Sequence, residues 1–128
     1  MSTVSEFQAQ RKTCEELVEL RDMALRLSEN RDFRKLFIEG FFRDEAARMV
    51  QLSEDPILTR EQQHDALRMA QATGHAKRYL SMLVVRGNSA AKDIIDLDEQ
   101  LEELRREEAA EEAERLGSSV ETGNDGAL

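Results

Sequence analysis

The chain lacks tryptophan altogether and has one tyrosine, one cysteine and one proline in 128 residues. A single cysteine, Cys14, excludes an intramolecular disulfide framework and suits a reducing compartment. With Pro56 as the only proline, long stretches are free to run as helix. No apolar run approaches the roughly 20 residues of a transmembrane helix. Residues 1–11 lack the apolar core of an export signal, so neither membrane insertion nor secretion is expected. Also missing are a phosphate-binding glycine loop, a Gly-x-Ser-x-Gly elbow and any paired-cysteine motif. These absences argue against an enzyme, and no cofactor is expected.

What is present is charge, unevenly placed. Residues 93–128 hold thirteen acidic side chains against three basic, and residues 60–92 hold six basic against two acidic. The remaining 59 residues have nine basic and twelve acidic, and the whole chain has a net charge of −9. An acidic balance argues against a general nucleic-acid coat, although a local basic face could still bind. Hydrophobic residues make up 40% and charged residues 35% of the chain, which together with abundant Ala, Leu, Glu, Arg and Gln predicts an all-α protein.

Four helical stretches are expected, forming a bundle over residues 1–104. The first, about 6–28, places Leu17, Leu20, Ala24 and Leu27 at helical spacing, widened by Phe7, Cys14, Val18 and Leu25. Ser5 with Gln8 has the pattern of a capping box. The second begins after Asn30, runs to about Ser53 and holds Phe33, Phe37, Phe41 and Phe42. The first three of these share a face at i,i+4 steps, which reads as core, and Gly40 could split the helix. Ser53-Glu54-Asp55-Pro56 is the clearest break, because proline disfavours helix in the residue before it. Thr59 with Gln62 then caps the third stretch, which runs to Arg86, with Gly87 as its C-terminal stop.

The fourth stretch starts near Ala90. Ile94, Leu97, Leu101 and Leu104 follow a 3,4,3 spacing, two heptads of a coiled-coil seam. Past Leu104 the register falls on Glu108 and Glu111, so residues 105–116 read as a solvated acidic helical extension, and residues 117–128 as a disordered tail. The seam has two readings: it binds another copy or a partner helix, or it packs within the chain against the Phe-rich helix.

Few residues suggest chemistry. Glu61 and His64 have the Glu-x-x-His spacing of helical di-iron sites, but these need a second such pair, and His75 follows Ala72 instead. On one helix His64 and His75 would lie about 16 Å apart, too far to share an ion. No metal is expected. Cys14, near Arg11 and Lys12, reads as a small packing residue rather than a nucleophile, since no positioned base accompanies it. The competing functional reading is a helix-turn-helix: residues 60–72, a turn at Thr73-Gly74, and a recognition helix from His75 to Val85. Lys77, Arg78 and Ser81 would then face the DNA groove, with Arg68 and Arg86 on phosphates. An unbroken helix fits the same residues, because Leu67, Ala70, Gly74 and Lys77 share a face.

One resemblance adds to this. Asp32-Phe33-Arg34-Lys35, Gly40-Phe41-Phe42, Glu45-Ala46-Ala47-Arg48, Asp55-Pro56 and Leu58-Thr59, continued by Tyr79-Leu80, Gly87 and the acidic helix from Leu101 to Leu104, resemble small helical proteins encoded among the structural genes of tailed bacteriophages. The similarity covers about residues 30–104 and rests on turn and packing positions. It implies a role in head or virion assembly, with capsid components or further copies of the chain as partners, in the host cytoplasm or on the virion. The expected function is therefore a non-enzymatic helical interaction protein acting by helix packing and electrostatics, with DNA binding as the alternative.

Overall fold

The computed structural model describes residues 3–126, with side chains described through residue 117. These residues are helical throughout apart from two short connections, and no strand occurs among them. Three long helices are present rather than the four expected. The first is Thr3–Glu29. The second covers residues 31–53 as a short α segment (Arg31–Phe33), a π segment (Arg34–Glu45) and a closing α segment (Ala46–Ser53). The third is Arg60–Gly126, 67 residues. The tail expected at 117–128 is instead helical as far as Gly126, and residues 127–128 lie outside those described.

Two of the sequence-predicted boundaries have visible causes. The side-chain oxygen of Asn30, in an extended conformation, accepts the Phe33 N–H at 2.9 Å and so caps the second helix. After Ser53 the Asp55 side chain accepts the Ile57 N–H at 3.0 Å around Pro56. The Gln63 amide donates to the Asp55 carbonyl at 2.6 Å and holds this turn against the next helix. The Thr59–Gln62 capping box is closed in both directions. Gln62 N–H donates to Thr59 Oγ1 (3.1 Å), and Thr59 N–H donates to Gln62 Oε1 (3.0 Å). The proposed box at Ser5 and Gln8 does not start the first helix, which is already helical at Thr3.

The predicted stop at Gly87 and restart at Ala90 are overturned. Helix runs unbroken through Gly87-Asn88-Ser89, and no described glycine adopts the positive φ of a helix C-cap. Gly87 is instead buried, and a Cβ built on it would collide with Cβ of Arg21 and sit 2.8 Å from its Cγ and Cδ. The residue is a point of close helix–helix approach, where only a glycine backbone fits. Likewise Gly40 does not split the second helix. A Cβ there would lie 3.1 Å from the Lys35 carbonyl, five residues earlier, within the π segment whose hydrogen bonds run i→i+5.

The chain comprises two compact units: Met1–Glu15 with Ala91–Leu128, and Glu16–Ala90. In the unit Glu16–Ala90 the first and third helices run antiparallel. Arg21 donates to the Asn88 side chain at 3.2 Å, while Ala24 and Ser28 share a cleft with Leu80, Ser81 and Val84. The residues buried in this unit are small: Ala24, Ala66, Thr73, Gly87 and Ala90, with Leu83 the one large member. In the other unit the buried residues among those described are Leu97 and Leu101.

The first helix does not turn inward the whole stripe read from its spacing. Ala24 is buried and Leu17 half-buried, but Leu20 and Leu27 are 40% and 42% exposed. Cys14, Val18, Arg21 and Ser28 occupy the inward positions around Ala24. Arginine takes such a place by laying its methylenes along the apolar surface and keeping the guanidinium at the rim, here on Asn88 and Asp22.

Candidate functional site

Four features were candidates for function: the 94–104 seam, the basic stretch 60–86, the phenylalanine cluster and the acidic extension.

Within the seam, Leu97 and Leu101 are buried and Ile94 and Leu104 half-buried. The neighbours given to Leu97 are on the first helix, since an open cleft is lined by Gln10, Thr13 and Cys14 together with Asp93, Asp96, Leu97 and Gln100. On the outer edge of this contact Arg11 makes a two-pronged ion pair with Asp98, Nε to Oδ1 at 2.6 Å and Nη2 to Oδ2 at 3.4 Å. Arg11 also pairs with Glu15, one turn on. The Arg11 hydrogen bond holds the Asp98 carboxyl below its usual range, against partial desolvation. Leu97 thus faces the first helix rather than the Phe-rich helix expected for an internal seam, and Cys14 is half-buried beside it.

The basic stretch is one helix. No turn forms at Thr73-Gly74, where Thr73 is 3% exposed and its hydroxyl donates to the Ala70 carbonyl at 2.6 Å. The two-helix geometry that would present a recognition helix is therefore absent. The residues proposed for DNA contact are dispersed: Arg68 pairs with Asp65 at 3.3 Å. Lys77 and Ser81 border the cleft facing Phe33, Ile38 and Phe42. Arg78 and Arg86 are exposed.

The phenylalanines form one cluster. Phe33 stacks on Phe37 (centroids 5.2 Å apart), Phe41 meets Phe37 edge-on at 6.0 Å, and Phe42 lies 6.3 Å from Phe37 and 5.7 Å from Phe41. The widened π turn explains why Phe42 joins, since it brings positions i+4 and i+5 to the same side as i. Phe33 and Phe42, with Ile38, enclose an apolar cleft of about 210 Å³ against Ala24, Leu80 and Val84.

Residues 105–117 are exposed on every side. Among the described residues their charges make in-helix pairs such as Arg115–Glu112 at 3.9 Å. Glu61 and His64 are exposed, and no group of three or more His, Cys, Asp or Glu converges among the described residues. No described helix is long and apolar enough to cross a membrane.

Two features escaped the sequence reading. The close approach at Gly87 could have been suspected from the 3,4 spacing of Leu83, Gly87, Ala90, Ile94, Leu97 and Leu101, which continues the seam without a break. The large apolar side chains left on the surface, Met23, Leu36, Tyr79 and Val85 among them at 53–66% exposure, follow from which neighbours each helix receives. No family model matches the chain, and no curated protein or solved structure is similar to it.

Proposed function

We propose that this protein is a non-enzymatic helical interaction protein, an assembly or accessory factor of a tailed-phage head or virion, acting by helix packing and electrostatics. The observation that carries the interaction role is the surplus of apolar surface. Among the described residues sixteen large hydrophobic side chains are exposed and no large side chain is fully buried. A small domain with that balance gains stability by covering apolar area on something else. The exposed acidic extension offers a second kind of contact, to a basic surface, and its strength would fall with salt. The setting in phage assembly is supported by the resemblance of residues 30–104, and with it go the host cytoplasm or the virion as the expected location and capsid components as the expected partners.

The test is affinity capture of the full chain from virion-producing cells, read by mass spectrometry. Enrichment of virion structural proteins is expected. Replacing Glu107, Glu108, Glu111 and Glu112 with Gln should weaken capture if the extension makes the contact. Absence of any virion protein would overturn the phage assignment.

A further inference from the structure

One side of the antiparallel helix pair in the unit Glu16–Ala90 is apolar and bare. On the first helix, Leu20 and Leu27 each stand one position before an inward residue, Arg21 and Ser28. On the third helix, Tyr79 and Met82 each stand one position before Leu80 and Leu83. Residues of a right-handed helix rotate by about 100° per step. In an antiparallel pair, positions one step before the seam on both helices therefore fall on the same side. Positions one step after it, Ser81 and Val84, fall on the other side. There Phe33, Ile38 and Phe42 of the second helix line a cleft with them. The second helix thus flanks one side, and the opposite side presents Leu20, Met23, Leu27, Tyr79 and Met82, which are 40, 53, 42, 59 and 37% exposed.

The size of this patch fits an interface. Taking roughly 200 Å² for a fully exposed side chain of this bulk, the five together expose roughly 450 Å². That lies within the range of functional surface patches. It is also a little over half of the ~800 Å² each partner contributes to a standard interface, which matches the usual apolar share. Charge selects the occupant. Residues 16–90 carry twelve acidic and twelve basic side chains, so the unit has no net charge, and the −9 of the chain lies in the other unit with fifteen acidic against six basic. A basic partner would be drawn to those acids, and an acidic one finds no net positive field here. A neutral apolar face is complementary to another of its kind, and Glu16 and Arg86, one step before Leu17 and Gly87, add one charge of each sign to it.

We propose that this face pairs with the same face of a second copy, forming an isologous dimer whose four helices share a core. The proposal rests on the interaction-protein reading and names one of its partners. The test is the solution mass of the full chain by light scattering at tens of micromolar. Twice 14.6 kDa is expected. Met23→Glu combined with Tyr79→Glu, both at positions more than half exposed, should give the monomer mass with unchanged helical circular dichroism. Should that pair lose helicity, Met23→Lys alone carries the same expectation. Val85→Glu, two positions past Leu83 and outside the face, should leave the dimer intact. A monomeric parent chain, a trimer or larger ring, a dimer that survives the paired substitution, or one lost equally with Val85→Glu would each overturn the proposal. Capture of virion proteins is a separate readout, so a monomer that still captures them would sink the dimer and leave the assembly role standing.

Discussion

The two units solve the same problem, joining the first helix to the third, with different materials. In Glu16–Ala90 the buried positions are Ala24, Ala66, Thr73, Gly87 and Ala90 around one leucine, and the unit has no net charge. In the unit containing Ala91–Leu128 the buried residues are Leu97 and Leu101, the rim is an arginine–aspartate pair, and the acidic excess is concentrated there. Small residues let backbones approach closely, so the first arrangement is limited by space. Leucines hold helices apart and fill the gap, so the second is limited by buried volume. Substitutions that enlarge a side chain should injure the first unit, and truncations the second.

The largest expected effect is in the leucine-lined unit. Leu101→Ala should cost about 2–5 kcal/mol in denaturant unfolding followed by circular dichroism, through lost burial and the cavity left behind. Leu101→Met should cost less than about 1.5 kcal/mol because it keeps the volume. Equal losses for the two would mean that volume does not limit this unit. Next, Gly87→Ala should destabilise by about 1–3 kcal/mol, because the new methyl meets Arg21. Gly74→Ala should do the reverse and add up to about 1 kcal/mol, since a Cβ there meets nothing within 4 Å and alanine is the better helix former. Two glycines on one helix with opposite signs would separate close approach from propensity, and a shared sign would break the comparison.

The smallest effect concerns the rim. The folded-state pKa of Asp98 is depressed by its hydrogen bond to Arg11. The contribution of this pair is therefore present above the unfolded carboxyl value of about 3.9 and is lost as pH falls through the lower folded value. Asp98→Asn should slightly flatten the acid limb of the stability profile below about pH 4 and lower stability at pH 7 by the same small amount, because both partners are substantially exposed. An unaltered acid limb would show that the pair does not hold in solution.

Local chemistry was legible where it needs no distant partner. The turn at Asp55-Pro56, the Thr59–Gln62 box and the Asn30 start are made by residues within a few positions of one another. The phenylalanine face was legible as a cluster, because i,i+4 spacing survives in a helix of any neighbourhood. Its reading as core is corrected: Phe37 is 43% exposed and Phe33, Phe41 and Phe42 are only half-buried, and the π segment that recruits Phe42 was not foreseen. The seam leucines could be named but their mate could not, since the heptad spacing of Leu97 and Leu101 is the same whether the opposite helix belongs to this chain or another. Gly87 was misread for a related reason. After a helical stretch glycine favours termination, and only knowledge of Arg21 across the contact shows why it stays helical.

The sequence by itself determined the helical class, the single proline break and the segregation of charge, because these depend on composition, spacing and short-range hydrogen bonds. Tertiary structure decided that the helix continues through Gly74 and Gly87. The cost of about 1 kcal/mol per glycine is outweighed by keeping Thr73, Leu83 and Ala90 on one inward face. It also decided that Arg21 turns inward while Leu20 and Leu27 stay out. A helix with apolar residues over so wide an arc has several faces it could bury, and only the position of its neighbours selects one.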